Sequence, residues 1–105
     1  MADPQRHLVI FAKAPRLGAV KNRLARQVGS VTAWRFYRRN LAQTLRRLDD
    51  RRWRTWLSLT PDGFDAGPLW SGDRLAQGGG DLGARMARPF VSLPPGPVVL
   101  VGCDI

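Results

Sequence analysis

Five apolar residues in a row, Leu8-Val9-Ile10-Phe11-Ala12, open the pattern of the chain. A short unbroken run of this kind suits a strand buried on both faces of a parallel sheet. Lys13-Ala14-Pro15-Arg16-Leu17-Gly18 follows, and its proline and glycine mark a loop. A short helix is expected from Val20 to Gln27, stopped at Gly29. Ser30 is then placed to cap a longer helix from Val31 to about Leu48. Along it Trp34, Tyr37, Leu41, Leu45 and Leu48 recur at three- and four-residue steps, which gives one apolar face for the core. Arg35, Arg38, Arg39, Arg46 and Arg47 fall mostly on the rest of the helix surface and read as a solvated face.

Trp53 to Thr60 reads as a second strand, with Trp53, Thr55, Leu57 and Leu59 on one side. Pro61-Asp62-Gly63 is a turn, and the stretch from there to Gly72 is loop or broken helix. A short strand is expected at Leu75-Ala76, a flexible glycine loop at Gln77-Gly78-Gly79-Gly80, and a short helix from Leu82 to Phe90 that Pro89 curtails. Pro94-Pro95-Gly96-Pro97 is a rigid connector into a buried strand at Val98-Val99-Leu100-Val101. Strands alternating with helices predict an α/β layered fold with a mostly parallel sheet. The chain ends shortly after this last strand, where such folds usually continue into a loop and a helix. The expectation is therefore one incomplete domain over residues 1–105, with an uncovered sheet edge.

Composition narrows the function classes. With 44% hydrophobic residues among 105, including four Trp and four Phe, a core can form, which argues against a disordered tail. No segment is apolar enough to span a bilayer, and the first residues lack the basic-then-apolar order of a secretory leader. One cysteine, Cys103, excludes an internal disulfide framework and suits a cytoplasmic protein. One His and one Cys cannot close a zinc cluster. The net charge of +9 attracts polyanions in general. Yet 15 of the 17 basic residues are Arg and every acid is Asp, a skew that fits a codon bias as well as a nucleic-acid footprint. Nucleic acid is accordingly not the expected partner, and phosphate-bearing small molecules remain.

Ligands of open α/β sheets bind beyond the carboxyl ends of the strands. Three polar segments belong there: Lys13 to Arg23, Gln77 to Arg85, and Cys103-Asp104. The first combines a Pro/Gly loop, several cations and a helix start, a good cradle for pyrophosphate, though it lacks the Walker pattern. The second contains Gly78-x-Gly80-x-x-Gly83, formally a dinucleotide fingerprint with Asp104 about twenty residues on. The segment before Gly78 is a poor strand, which counts against that reading. Asp81 either caps the following helix or accepts a hydrogen bond from a sugar hydroxyl. Asp104 either caps the next element or contributes to a divalent cation site whose other ligands come from elsewhere.

Taken together, Phe11-Ala12-Lys13-Ala14-Pro15-Arg16-Leu17-Gly18-Ala19-Val20-Lys21-Asn22-Arg23-Leu24, Gln77-Gly78-Gly79-Gly80-Asp81-Leu82-Gly83-Ala84-Arg85-Met86 and Val101-Gly102-Cys103-Asp104-Ile105 resemble, in order, three motifs of one family. These are the bacterial GT-A-type glycosyltransferase-like proteins of the nucleotide-diphospho-sugar transferase superfamily, some assigned to arsenosugar biosynthesis. The resemblance implies the Rossmann-like, nucleotide-binding half of a GT-A fold. It also implies a metal-dependent glycosyltransferase that moves a sugar from a nucleoside-diphosphate donor. Lys13, Gly18, Lys21 and Arg23 would hold the phosphates; Gln77, Asp81 and Arg85 would line the nucleoside or sugar pocket; Asp104 would contribute to a Mg²⁺ or Mn²⁺ site. The metal would then act as a Lewis acid on the departing diphosphate, with no covalent intermediate required.

Three departures bear on this. Asn22 stands where the family usually has Thr or Ser, and Gln43 where an acid is common. The chain also ends near the family's midpoint, so the acceptor-binding half and any catalytic base are expected to be missing. That half, or a second copy of the chain, would complete the sheet. A nucleotidyltransferase joining a nucleoside triphosphate to a phosphorylated small molecule needs the same loop and the same Asp104, and is the alternative. NAD-type dinucleotide binding and a basic nucleic-acid-binding module are the remaining readings.

Overall fold

The computed structural model describes residues 5–18 and 22–102. Its elements in chain order are β1 (His7–Lys13), α1 (Asn22–Val28), α2 (Ser30–Leu48) and β2 (Arg54–Thr60). A 3₁₀ turn at Gly67–Leu69 comes next, then β3 (Asp73–Arg74), α3 (Leu82–Ala87), α4 (Pro89–Ser92) and β4 (Val98–Gly102). The four strands form one sheet in the order β3-β2-β1-β4, and every pairing is parallel. The α/β class and the parallel sheet with flanking helices are those expected.

Strand alternation sorts the side chains into two faces. In register, Leu8, Ile10 and Ala12 of β1 lie beside Thr55, Leu57 and Leu59 of β2. Helix α2 covers this face with Tyr37, Leu41 and Leu45, all buried, while Trp34, Leu48 and Trp53 pack at the margin. Burying each such large side chain is worth about 1.5–3 kcal/mol, so the α2 interface is the main source of stability. The apolar stripe of the helix is thus core. On the opposite face Val9, Phe11 and Leu100 are neighbours in register, and α3 stands across a cavity from Phe11 and Leu100. Strand β4 is an outer strand of the described sheet, and its Val99 is 58% exposed.

Local details depart from expectation in three places. Ser30 is the first helical residue of α2; Gly29, at φ 93°, holds the capping position and no side chain caps the helix. The short strand is Asp73–Arg74 rather than Leu75-Ala76, because the pairing with β2 runs through Trp56 and Leu57 two residues earlier. Pro89 does not simply curtail one helix. It opens a second one, α4, where its missing N–H costs no helical hydrogen bond.

Candidate functional site

Strands β1, β2 and β4 end at Lys13, Thr60 and Gly102, and all three residues line one cavity of about 290 Å³. Lys13, Gln77 and Arg85 are its charged and amide groups; Phe11, Leu82 and Leu100 supply apolar wall. An open groove of about 540 Å³ beside α2, at Trp34, Arg38 and Leu69, is larger but is lined by no strand residue. In a parallel α/β sheet the strand-end cavity is the one placed to take a ligand.

The first wall is built by β1 and the loop after it. The Lys13 carbonyl accepts the Tyr37 hydroxyl at 2.6 Å, and the Pro15 carbonyl accepts the Trp34 indole N–H at 2.6 Å. The Ala14 N–H donates to the Thr60 carbonyl at 2.9 Å, which ties the ends of β1 and β2 together. Lys13 itself is exposed and makes no ion pair among the described residues, so its ammonium is available to an anion.

The second wall is the Gln77-to-Arg85 segment, and Gln77 is its keystone. It is 1% exposed, and its Nε2 donates to the Ala12 carbonyl at 3.1 Å and to the Ser58 carbonyl at 3.0 Å. Its Oε1 accepts from the Arg85 guanidinium at 3.0 Å. Both amide protons and one carbonyl lone pair are thereby used, which is why a polar side chain tolerates this burial. The loop expected to be flexible is instead anchored at its first residue. Two residues that the sequence reading passed over complete the anchor. Asp62, seen there only as part of a turn, accepts the Gln77 N–H at 2.8 Å and the Gly78 N–H at 3.2 Å. Arg88 donates to the Gln77 carbonyl and, at 2.9 Å, to the Gly79 carbonyl.

Of the eight site residues expected, Lys13, Gln77 and Arg85 come together around the cavity. Asp81 adjoins them as the cap of α3, accepting the Ala84 N–H at 2.8 Å. Gly18 has φ 81°, a conformation suited to glycine, in the loop after β1. Arg23 is exposed on α1 and is not among the cavity-lining residues. Lys21 and Asp104 lie outside the described residues, as does Cys103. The dinucleotide fingerprint lacks its strand: β3 has only two residues, and a Cβ on Gly78 would meet the Arg88 guanidinium rather than open space.

Among the described residues no group of three His, Cys, Asp or Glu is placed to hold a metal ion. The nearby carboxylates are engaged with backbone amides, Asp62 through both oxygens and Asp81 through one. No helix among the described residues is long and apolar enough to cross a membrane.

No protein-family model and no curated protein matches the chain. A solved structure from Desulfovibrio desulfuricans G20, provisionally assigned as a nucleotide-diphospho-sugar transferase, matches with a TM-score of 0.75 and 30% sequence identity. The match covers 98% of this chain and 48% of that one, so the chain spans about half the length of that relative. The chain thus carries a partial nucleotide-diphospho-sugar transferase fold.

Proposed function

We propose that the chain is the nucleotide-binding half of a cytoplasmic glycosyltransferase that takes a sugar from a nucleoside-diphosphate donor. The observation that carries this reading is the strand-end cavity, where the cations Lys13 and Arg85 meet apolar wall from Phe11, Leu82 and Leu100. Cations in such a site favour a diphosphate, and apolar wall beside them accommodates a planar base. Gly18, Lys21 and Arg23, in and after the loop that leaves β1, extend the phosphate contacts in this proposal. Asp81 takes a sugar or ribose hydroxyl with the carboxylate capacity its capping bond leaves over.

In transfer the bond from the anomeric carbon to the diphosphate oxygen breaks as that carbon bonds to the acceptor nucleophile, whose proton passes to a base supplied with the acceptor site, and negative charge collects on the leaving diphosphate. Fixed cations that strengthen their contact as that charge grows lower the barrier. Lys13 and Arg85, which both line the cavity, are the residues proposed for this. Asp104 is the residue proposed for a share of a Mg²⁺ or Mn²⁺ site. The other ligands would be water, substrate phosphates or residues outside this chain. About half of the relative's length has no counterpart here. A polypeptide supplying it, and with it the acceptor site, is the proposed partner for the outer edge of β4, where a second copy of this chain would complete the sheet alone.

Titrating the chain with a panel of nucleoside-diphosphate sugars, followed by ligand-observed NMR, tests the reading. Binding that Lys13→Ala, Lys21→Ala and Arg23→Ala each weaken, and that loses its metal dependence in Asp104→Asn, supports it. Failure of every nucleotide to bind overturns it. With the completing half present, release of nucleoside diphosphate marks glycosyl transfer, whereas release of pyrophosphate would replace it with nucleotidyl transfer.

A further inference from the structure

We infer that Asp62, which lies outside the cavity, is a positioning residue that sets where the Arg85 guanidinium stands, acting through Gln77. The inference rests on the nucleotide-binding reading for its consequence, but on geometry alone for its mechanism. Asp62 follows β2 and reaches across to the glycine loop, where its two oxygens take the successive amides of Gln77 and Gly78 at 2.8 and 3.2 Å. Two converging N–H donors require two acceptors. A carboxylate supplies both with a charge-assisted bond to each, whereas an amide offers one acceptor and turns an NH₂ toward the second N–H.

What Asp62 fixes on the backbone, Gln77 passes to its side chain. The Gln77 amide fits between the Ala12 and Ser58 carbonyls at 3.1 and 3.0 Å, a bridge across β1 and β2 that tolerates little displacement. Its remaining oxygen then receives Arg85 at 3.0 Å. The other hydrogen bond that Arg85 makes, from Nε to the Asp81 carbonyl, is long at 3.4 Å. Gln77 is therefore the stronger restraint on the guanidinium. Without it the side chain explores its rotamers, and planar two-point recognition of a phosphate is lost. Arg88 holds the same segment from its other side, through the Gln77 and Gly79 carbonyls. Asp62 is the part of this relay that can be altered without touching a cavity-lining group.

The test uses the full 105-residue chain, small enough for ¹⁵N-resolved NMR. The Arg85 Nε–Hε signal is assigned by its disappearance in Arg85→Lys. In Asp62→Asn, the Gln77 and Gly78 amide signals and the Arg85 Nε signal are all expected to move. Inorganic pyrophosphate is then titrated into wild type, Asp62→Asn, Arg85→Gln and the double variant. Asp62→Asn is expected to weaken binding about tenfold in the wild-type background and less than about twofold in the Arg85→Gln background, the pattern of residues acting in series. An Arg85 signal unmoved in Asp62→Asn overturns the inference, as do losses that multiply in the double variant. If wild type binds no pyrophosphate and no nucleotide, the functional reading fails while the Arg85 signal still decides the role of Asp62. Should Asp62→Asn lose its amide dispersion, Asp62→Glu, which displaces the same two acceptors on a longer arm, is read in the same way.

Discussion

The Tyr37 hydroxyl, on the buried face of α2, donates to the Lys13 carbonyl at 2.6 Å. Tyr37 therefore links core and cavity: its ring belongs to the core cluster with Ile10 and Leu41, while its oxygen holds the strand end that carries Lys13. Trp34, one turn earlier, does the same for Pro15. Tyr37→Phe keeps the ring and removes the donor. It is expected to cost about 1–2 kcal/mol by urea unfolding, the range for a buried hydrogen bond lost from one side. Pyrophosphate affinity should fall with it.

A purely apolar truncation serves as the contrast. Leu41 has no exposed surface and sits at the centre of the α2 contact with the sheet. Leu41→Ala is expected to destabilise by about 2–5 kcal/mol, through lost transfer energy and the cavity left behind. Circular dichroism during urea unfolding measures this. In conditions where the variant remains folded, anion affinity should change little.

Gly78 is a third point of leverage. Its φ is 76°, and a Cβ there would run into the Arg88 guanidinium. Gly78→Ala must strain the backbone and push Arg88 away from the Gln77 and Gly79 carbonyls. The combined loss is expected at roughly 1–3 kcal/mol, with the Gln77 amide, which Asp62 holds, exchanging faster with solvent.

Acid should act at the opposite end of the sheet. Hydrogen bonds from Arg54, at 2.8 and 3.3 Å, hold the Asp73 carboxyl below its ordinary value of 3.8. Arg52 does likewise for Asp50. A carboxyl depressed in the folded state contributes stability that is full above 3.8 and lost as pH falls through the lower folded value. Asp73→Asn should therefore lose less stability than wild type on acidification below 3.8, as read by thermal unfolding at a series of pH values. The difference should shrink in high salt, since the pair is only half-buried.

The elements that could be read in the sequence are those whose signal is periodic and local. The five-residue apolar run before Lys13 is β1, the three- and four-residue steps from Trp34 to Leu48 are the core face of α2, and Thr55, Leu57 and Leu59 share one face of β2. β3 escaped because Asp73 and Arg74 form an edge strand whose pairing rests on backbone and on the Arg54 ion pair, with no apolar alternation to signal it. At the site, Lys13 and Arg85 were visible as cations in polar segments that a parallel sheet brings to one end. The anchors were not. Nothing near Asp62 in sequence indicates the Gln77 and Gly78 amides, and the Ala12 and Ser58 carbonyls held by Gln77 become neighbours only when β1 and β2 are in register.

That register has a consequence for how the molecule assembles. β1 precedes the other described strands and is a central one, yet His7 finds its partners at Arg54 and Val98, far along the chain. No sheet hydrogen bond can form until α1 and α2 have been synthesised and β2 has followed, and one side of β1 waits for β4. Loops of this length must be closed before any pairing repays them, which places the fold among the slower of its size. Helix α2, with nineteen residues of local hydrogen bonds, is the natural surface on which β1 waits. On a ribosome, β1 would remain an apolar segment without a strand partner until β2 emerges, and its second edge would stay unpaired until β4 does.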